Sequence, residues 1–205
     1  MRQAGKTRRD RRTLKDKKRE ETRRKLIEAA KRLFSEFGYD DVPVTEIAQE
    51  AGVTHSMINV YFGGKPGLLY EIVRQNNAPQ YEASKRIAES DAPALDRLSD
   101  MLRLWLEEDA RDPRLLAIMQ SYSWVWPPET EQENAEDRGC FLQFIVHLIR
   151  AAQETGRVRS DLDAEVAATS VFAIYTWGLR NVVFGISTHD ECHVKIMDQI
   201  DGIVR

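Results

Sequence analysis

Between Val44 and Lys65 the chain reads VTEIAQEAGVTHSMINVYFGGK, and five side chains in this stretch are suited to touching base-pair edges. Asn59 carries an amide that can bond adenine N6 and N7 in a two-pronged fashion. His55 can donate to guanine N7 or O6, and Met57 or Val60 can touch a thymine methyl. Ser56 completes the set. Ile58 and Phe62 lie four residues apart and take the opposite, inward face of a helix. Each correct base pair read in this way is worth ~1–3 kcal/mol of discrimination.

Such side chains need a rigid support. Val44, Ile47, Ala48 and Ala51 form a short amphipathic run that stops at Gly52, and a second run follows Val53 and Thr54. Two helices too short to stand alone, joined by a tight Gly-containing turn, describe a helix-turn-helix. Its second helix, expected over 54–61, is the one that would enter a DNA major groove. Upstream, Leu26, Ala29, Ala30, Leu33, Phe34 and Phe37 follow helical spacing and predict a helix over 22–37, capped by Thr22 and stopped by Gly38. Pro43 suits the entry into the next helix, where its missing N–H costs nothing. Downstream, Gly63-Gly64-Lys65-Pro66-Gly67 is read as a hinge, with Pro66 opening a further helix. It is not a phosphate loop, because the residue after Lys65 is Pro rather than Ser or Thr and no apolar strand precedes it.

Other chemistry has little support. No GxSxG, HExxH or paired-cysteine zinc pattern occurs, so neither a catalytic site nor a cofactor is expected. His189-Asp190-Glu191-Cys192-His193 puts two imidazoles four apart, but at a loop-to-helix junction where Asp190 reads as a cap; no metal is assigned there. Cys140 and Cys192 are widely spaced and read as free thiols of a reducing cytoplasm. The 205 residues are 42% hydrophobic and 31% charged, with no apolar run approaching the ~18 residues of a membrane span. A soluble cytoplasmic protein without a membrane partner is the expectation.

The net charge of −3 conceals an asymmetry. Residues 1–25 hold 13 basic and 4 acidic side chains, whereas residues 66–205 hold 14 basic and 23 acidic. One end is built to approach an anion. Residues 1–21 read as a basic, flexible arm with too little apolar surface to fold alone, and as either a solvated tail or a DNA-directed arm. The helix-turn-helix domain is placed at 22–66 and a helical regulatory and dimerisation domain at 67–205. That second part shows six more helical runs: 66–89, kinked by Pro79, then 93–108, 113–125, 130–155, 163–184 and 191–204. No alternating strand pattern appears. The fold class is therefore all-α, with about nine helices.

Residues 26–69 resemble the N-terminal domain of tetracycline-repressor (TetR-type) transcriptional regulators. The resemblance rests on AA-x3-LF-x3-G from Ala29 to Gly38, IA-x3-GV from Ile47 to Val53, the pair Tyr61-Phe62, and Lys65 three residues later. Gly156 to Ala168 (GRVRSDLDAEVAA) is similar to the connection before that family's penultimate helix. Membership implies a homodimer that binds double-stranded DNA and is regulated by a small-molecule inducer, as a repressor. By matching positions, Thr45, Thr54, Tyr61 and Lys65 look like phosphate contacts, and hydroxyls at helix starts suit that role. Three departures stand out. Asn59 and Val60 replace the family's usual aromatics, Pro43 replaces a capping Ser or Thr, and Gly63-Gly64 replaces a stiffer pair.

Reading DNA with one short helix is weak, and a two-fold dimer doubles the contacts while demanding half-sites ~34 Å apart. The last two helices carry more apolar residues than one buried stripe needs, which makes them the candidate dimer surface. The resemblance also implies an inducer pocket between bundle helices. Its candidates are Met101 and Trp105, Met119, Tyr122 and Trp126, Phe141 and Phe144, and Trp177. Ligand would favour a conformer that spreads the two recognition helices beyond groove spacing. The alternative is a ligand-independent helical DNA-binding or adaptor protein regulated by protein contacts, whose core would be filled.

Overall fold

A computed structural model describes residues 8–204, with side chains from Leu14 onward. Among the described residues there are nine helices and no strand. They are α1 (Arg8–Phe37), α2 (Val44–Glu50), α3 (Ser56–Phe62), α4 (Lys65–Ala88), α5 (Ala94–Asp109), α6 (Pro113–Tyr122), α7 (Pro128–Glu154), α8 (Ala164–Val183) and α9 (His189–Val204). The chain divides into two compact units at Ile72–Val73. The all-α class and the helix-turn-helix stand as the periodicity indicates.

The first unit is built on α1. Leu26, Ala30, Leu33 and Phe34 are buried on one stripe of α1, and Ile47 of α2, Ile58 of α3 and Leu68 and Leu69 of α4 are buried in the same unit. The Leu, Ile and Phe side chains among them contribute ~1.5–3 kcal/mol each. Ion pairs at the edges add register: Arg32 reaches Glu50 of α2 at 2.7 Å, and Arg23 reaches Glu71 of α4 at 2.6 Å.

Helix α1 begins at Arg8, fourteen residues before the expected start at Thr22. The cause is compositional. No Gly or Pro interrupts 8–37, and Lys, Arg and Glu all favour helix. The segment read as an arm is thus helical from Arg8, and residues 1–7 of that arm lie outside the described residues. Thr22 does not cap a helix start; its hydroxyl donates back to the Lys18 carbonyl within α1.

The second unit packs α5, α7, α8 and α9 around one core. Leu98, Met101, Leu102, Trp105 and Leu106 form the inward stripe of α5, against Ile145, Leu148 and Ile149 of α7, Val171 and Leu179 of α8, and Ile196 and Ile200 of α9. Two of its helix starts are capped by aspartates at expected junctions: Asp112 accepts from Leu115 N, and Asp163 from Glu165 N and Val166 N. Helix α4 runs through Pro79 without a break. Two bonds brace this stretch: Gln80 donates to Asp109 of α5, and the Ser84 hydroxyl donates to the Gln80 carbonyl.

The start of α9 differs from expectation. Asp190 is not the cap. Thr188 and Glu191 form a reciprocal capping box, in which Glu191 N–H donates to Thr188 Oγ1 and Thr188 N–H donates to Glu191 Oε2. Asp190 instead takes Arg103 of α5 at 2.8 Å. The two histidines take different partners. His189 lies 3.8 Å from Asp190, whereas His193 is buried between Ser99 and Arg103.

Candidate nucleic-acid interface

Helix α3 is seven residues long and depends on its neighbours for existence. Ile58 is fully buried and pins it to the unit's core. The other faces follow from that anchor. Thr54, His55, Ser56, Asn59 and Val60 are exposed, with Val60 at 68%, and Met57 is half-buried. The side chains suited to base edges therefore lie side by side on one solvent-facing surface. Thr45 is exposed at the start of α2, where Pro43 occupies the cap position and supplies no side-chain bond. His55 occupies the cap position of α3 without a capping bond, and Thr54 Oγ1 lies 3.1 Å from Ser56 Oγ.

Tyr61 and Phe62 close the helix and meet α1. Their rings are 6.2 Å apart, edge to face. The Arg19 guanidinium sits 5.6 Å above Tyr61, and that of Arg23 sits 5.6 Å above Phe62. These two arginines were not picked out by the sequence reading. The i, i+4 spacing of Arg19 and Arg23 opposite an adjacent aromatic pair is the signal that would have found them.

The junction after α3 is tighter than a free hinge. Gly63 and Gly64 both have positive φ, at 69° and 131°, so they do form the turn. Gly67 explains why that turn is compact: a Cβ on it would stand 1.9 Å from the Phe62 carbonyl oxygen. The first turn of α4 thus packs directly on the end of α3. Lys65 reaches back from this turn. Its ammonium donates to the Tyr39 carbonyl and lies 4.3 Å from the centre of the Tyr39 ring. Burial lowers its pKa, and Asp40 and Asp41 partly offset that.

In the second unit, the inducer candidates divide into three groups. Trp105, Phe141 and Phe144 are brought together with Tyr81 and Tyr175. Trp105 stands 5.4 Å from Phe141 and 5.5 Å from Tyr175, both edge to face, and Tyr81 stands 5.1 Å from Phe144. Met101 is buried in the core beside this cluster, on the same stripe of α5 as Trp105. Met119, Tyr122 and Trp126 are half-buried at α6 and its end. Trp177 is apart from both, 71% exposed on the outer side of α8. It borders a surface cavity of about 350 Å³ with Trp124, Arg180 and Phe184.

One polar constellation in this core escaped the sequence reading. The carboxyl of Asp109 accepts from Gln80 Nε2 at 2.9 Å and from Tyr175 Oη at 2.7 Å. Trp105 Nε1 donates to Ser84 Oγ at 2.7 Å beside it. Burial pushes the Asp109 carboxyl above its ordinary range, although the Tyr175 and Gln80 bonds pull the other way. Burial likewise drives Tyr175 well above its usual value. Asp109 ends α5 four residues after Trp105, and a charge on that apolar stripe was the available signal.

A three-helix unit that exposes one face of its third helix, joined to a separate helical bundle, defines a helix-turn-helix DNA-binding protein. Residues 26–72 match the family described as bacterial regulatory proteins, tetR family. The HTH-type transcriptional regulator HbdR of Aromatoleum sp. (strain CIB) is 41% identical over 168 residues, covering 80% of this chain and 72% of that protein. The HTH-type transcriptional repressor BepR of Brucella suis biovar 1 (strain 1330) is 29% identical over 161 residues, covering 75% of this chain and 77% of that protein. In fold, the chain is similar to the transcriptional regulator FadR from Bacillus subtilis, solved in complex with stearoyl-CoA. There the TM-score is 0.76 at 19% identity, over 88% of this chain and 98% of that one. The chain belongs to the TetR family of transcriptional regulators. Among the described residues, no helix is long and apolar enough to cross a membrane.

Proposed function

We propose that this regulator is a homodimeric repressor that binds a two-fold symmetric operator and leaves it when a small molecule occupies the second unit. The observation that carries the reading is the exposed row His55, Ser56, Asn59 and Val60 on a helix anchored by buried Ile58. Asn59 and Val60 supply the base preference, and Thr45, Thr54 and Tyr61 hold phosphates. Lys65 adds its positive charge to the same surface while holding the loop at Tyr39.

The proposed dimer surface is the outer side of α8 and α9. Val166, Trp177, Phe184 and Ile186 are each more than 60% exposed, and Val194 is 56% exposed. So much exposed apolar surface on α8, α9 and the connection between them favours a second copy of the chain as its cover. Trp177 is accordingly assigned to this face rather than to the inducer site. The inducer site is proposed at the cluster of Trp105, Phe141 and Phe144, extending toward Met101, Met119, Tyr122 and Trp126. The support is an aromatic assembly with one inward carboxyl, Asp109, as its polar group. No catalytic role is proposed for any residue.

The test is selection of bound sequences from a random duplex pool with the full chain. A palindrome with half-sites about one helical turn (~34 Å) apart is expected. Enrichment of a single unrepeated half-site would overturn the dimeric reading, and no enrichment would overturn the DNA reading.

A further inference from the structure

We propose that the outer segment of α1, Arg8 to Glu21, is a second DNA-binding element: a basic helix that lies along the phosphates flanking the bases read by α3 and is stabilised by them. This rests on the DNA-binding reading above and adds a second contact surface to it.

The composition of the segment favours helix, but no buried face adds to that preference. Every residue from Leu14 to Glu21 is exposed, and Leu14, the lone apolar residue of 8–21, is itself 42% exposed. A helix without a buried face is marginal in water. Charge makes matters worse. Residues 8–19 hold eight basic side chains against two acidic. Lys15 and Arg19 fall at i, i+4 and Lys15 and Lys18 at i, i+3, where like charges repel. A polyanion relieves the repulsion, since phosphates neutralise such a run of cations and release their own condensed counterions to solvent.

The position of the segment points the same way. The Arg19 and Arg23 guanidiniums lie over Tyr61 and Phe62, and Arg23 also pairs with Glu71 at 2.6 Å. That face of α1 is therefore fixed against the end of the recognition helix. Lys15 continues the same face one turn further out. At ~1.5 Å per residue, Arg8 to Arg19 extends ~16 Å beyond the Tyr61 contact. With one phosphate of each strand per ~3.4 Å of duplex axis, that matches about five base pairs of flanking duplex. A membrane surface is the poorer partner, because an interfacial helix needs an apolar face and this one has none.

The experiment compares the full chain with its Lys15→Gln, Lys17→Gln, Lys18→Gln triple variant. All three positions are exposed, and thermal melts of both proteins serve as the folding control. The probe is the palindrome selected from the random pool, once trimmed to the recognised bases and once extended by about ten base pairs on each side. On the extended duplex, the slope of log affinity against log salt should become shallower by about 5 in the triple variant, at ~0.9 per lost phosphate contact and three contacts from each protomer of the dimer. On the trimmed duplex the two proteins should match. Adding the extended duplex should raise far-ultraviolet helical signal in the wild type and less in the variant. Equal slopes on both duplexes, with specific binding intact, would overturn the proposal while leaving the regulator reading in place. So would a wild-type segment whose helical signal rises on anionic phosphatidylserine vesicles and not on DNA. Failure of the wild type to bind any duplex would overturn both.

Discussion

The Lys65 ammonium lies 4.3 Å from the centre of the Tyr39 ring and donates to the Tyr39 carbonyl, so the start of α4 is tied to the loop that follows α1. The lysine that resembles a phosphate ligand by its position is also a structural clasp. Lys65→Ala should therefore lower the stability of the protein by about 1–3 kcal/mol, the range for a charge-assisted bond combined with a cation–ring contact. Affinity should fall for all DNA sequences alike. Urea titration followed by circular dichroism checks the first outcome. A variant of wild-type stability whose salt slope drops by about one would reduce Lys65 to a plain phosphate contact.

Asn59 is exposed on the outward face of α3, within reach of whatever the helix approaches. Asn59→Ala should relax preference at one base pair per half-site and cost ~1–3 kcal/mol of discrimination there. Repeating the random-pool selection with the variant gives the answer. An unchanged sequence logo would move base reading to His55, Met57 or Val60.

The outward row of α3 was legible in the sequence because a single anchor decides it. Once Ile58 is inside, helical geometry sends His55, Ser56 and Asn59 outward. The helix count was legible for a similar reason, since each apolar stripe has one period. The start of α1 was not legible. Thr22 resembles a cap, but a threonine inside an uninterrupted run of helix formers can bond back to its own helix. Asp190 failed as a cap because Thr188 with Glu191 offers two reciprocal bonds in place of one. The grouping of Trp105, Phe141 and Phe144, and the outward turn of Trp177, depend on how helices cross. That is a property of tertiary packing which no single stripe reports.

Gly67 has no room for a side chain, since a Cβ would stand 1.9 Å from the Phe62 carbonyl oxygen, which is backbone and cannot swing aside. Gly67→Ala should force α4 away from the end of α3 at a cost of ~1–3 kcal/mol, as overpacking does. DNA affinity should fall by more than the melting temperature suggests, because the displaced element is the recognition helix itself. Gly139→Ala provides the control, since nothing lies within 4 Å of a Cβ built there. If Gly67→Ala binds DNA as tightly as that control, the junction yields more easily than the close approach implies.

Asp109 gives the protein a pH dependence of defined sign. Burial raises its carboxyl pKa above that of the unfolded chain, so between the two values the folded state holds a proton that the unfolded state has lost. Stability therefore declines as pH rises from the ordinary carboxylate range through the raised folded value. Asp109→Asn carries no charge at any pH. Its amide oxygen can still accept from Gln80, and its NH2 can donate to the Tyr175 hydroxyl, which accepts as readily as it donates. The variant should lack this decline, and at neutral pH it should be at least as stable as the wild type. Urea unfolding across pH 4 to about 8, taken as the difference between the two proteins, isolates the contribution of this one group from that of every other carboxylate. A difference curve that is flat across the range would mean that the Tyr175 and Gln80 bonds fully offset the burial of the charge.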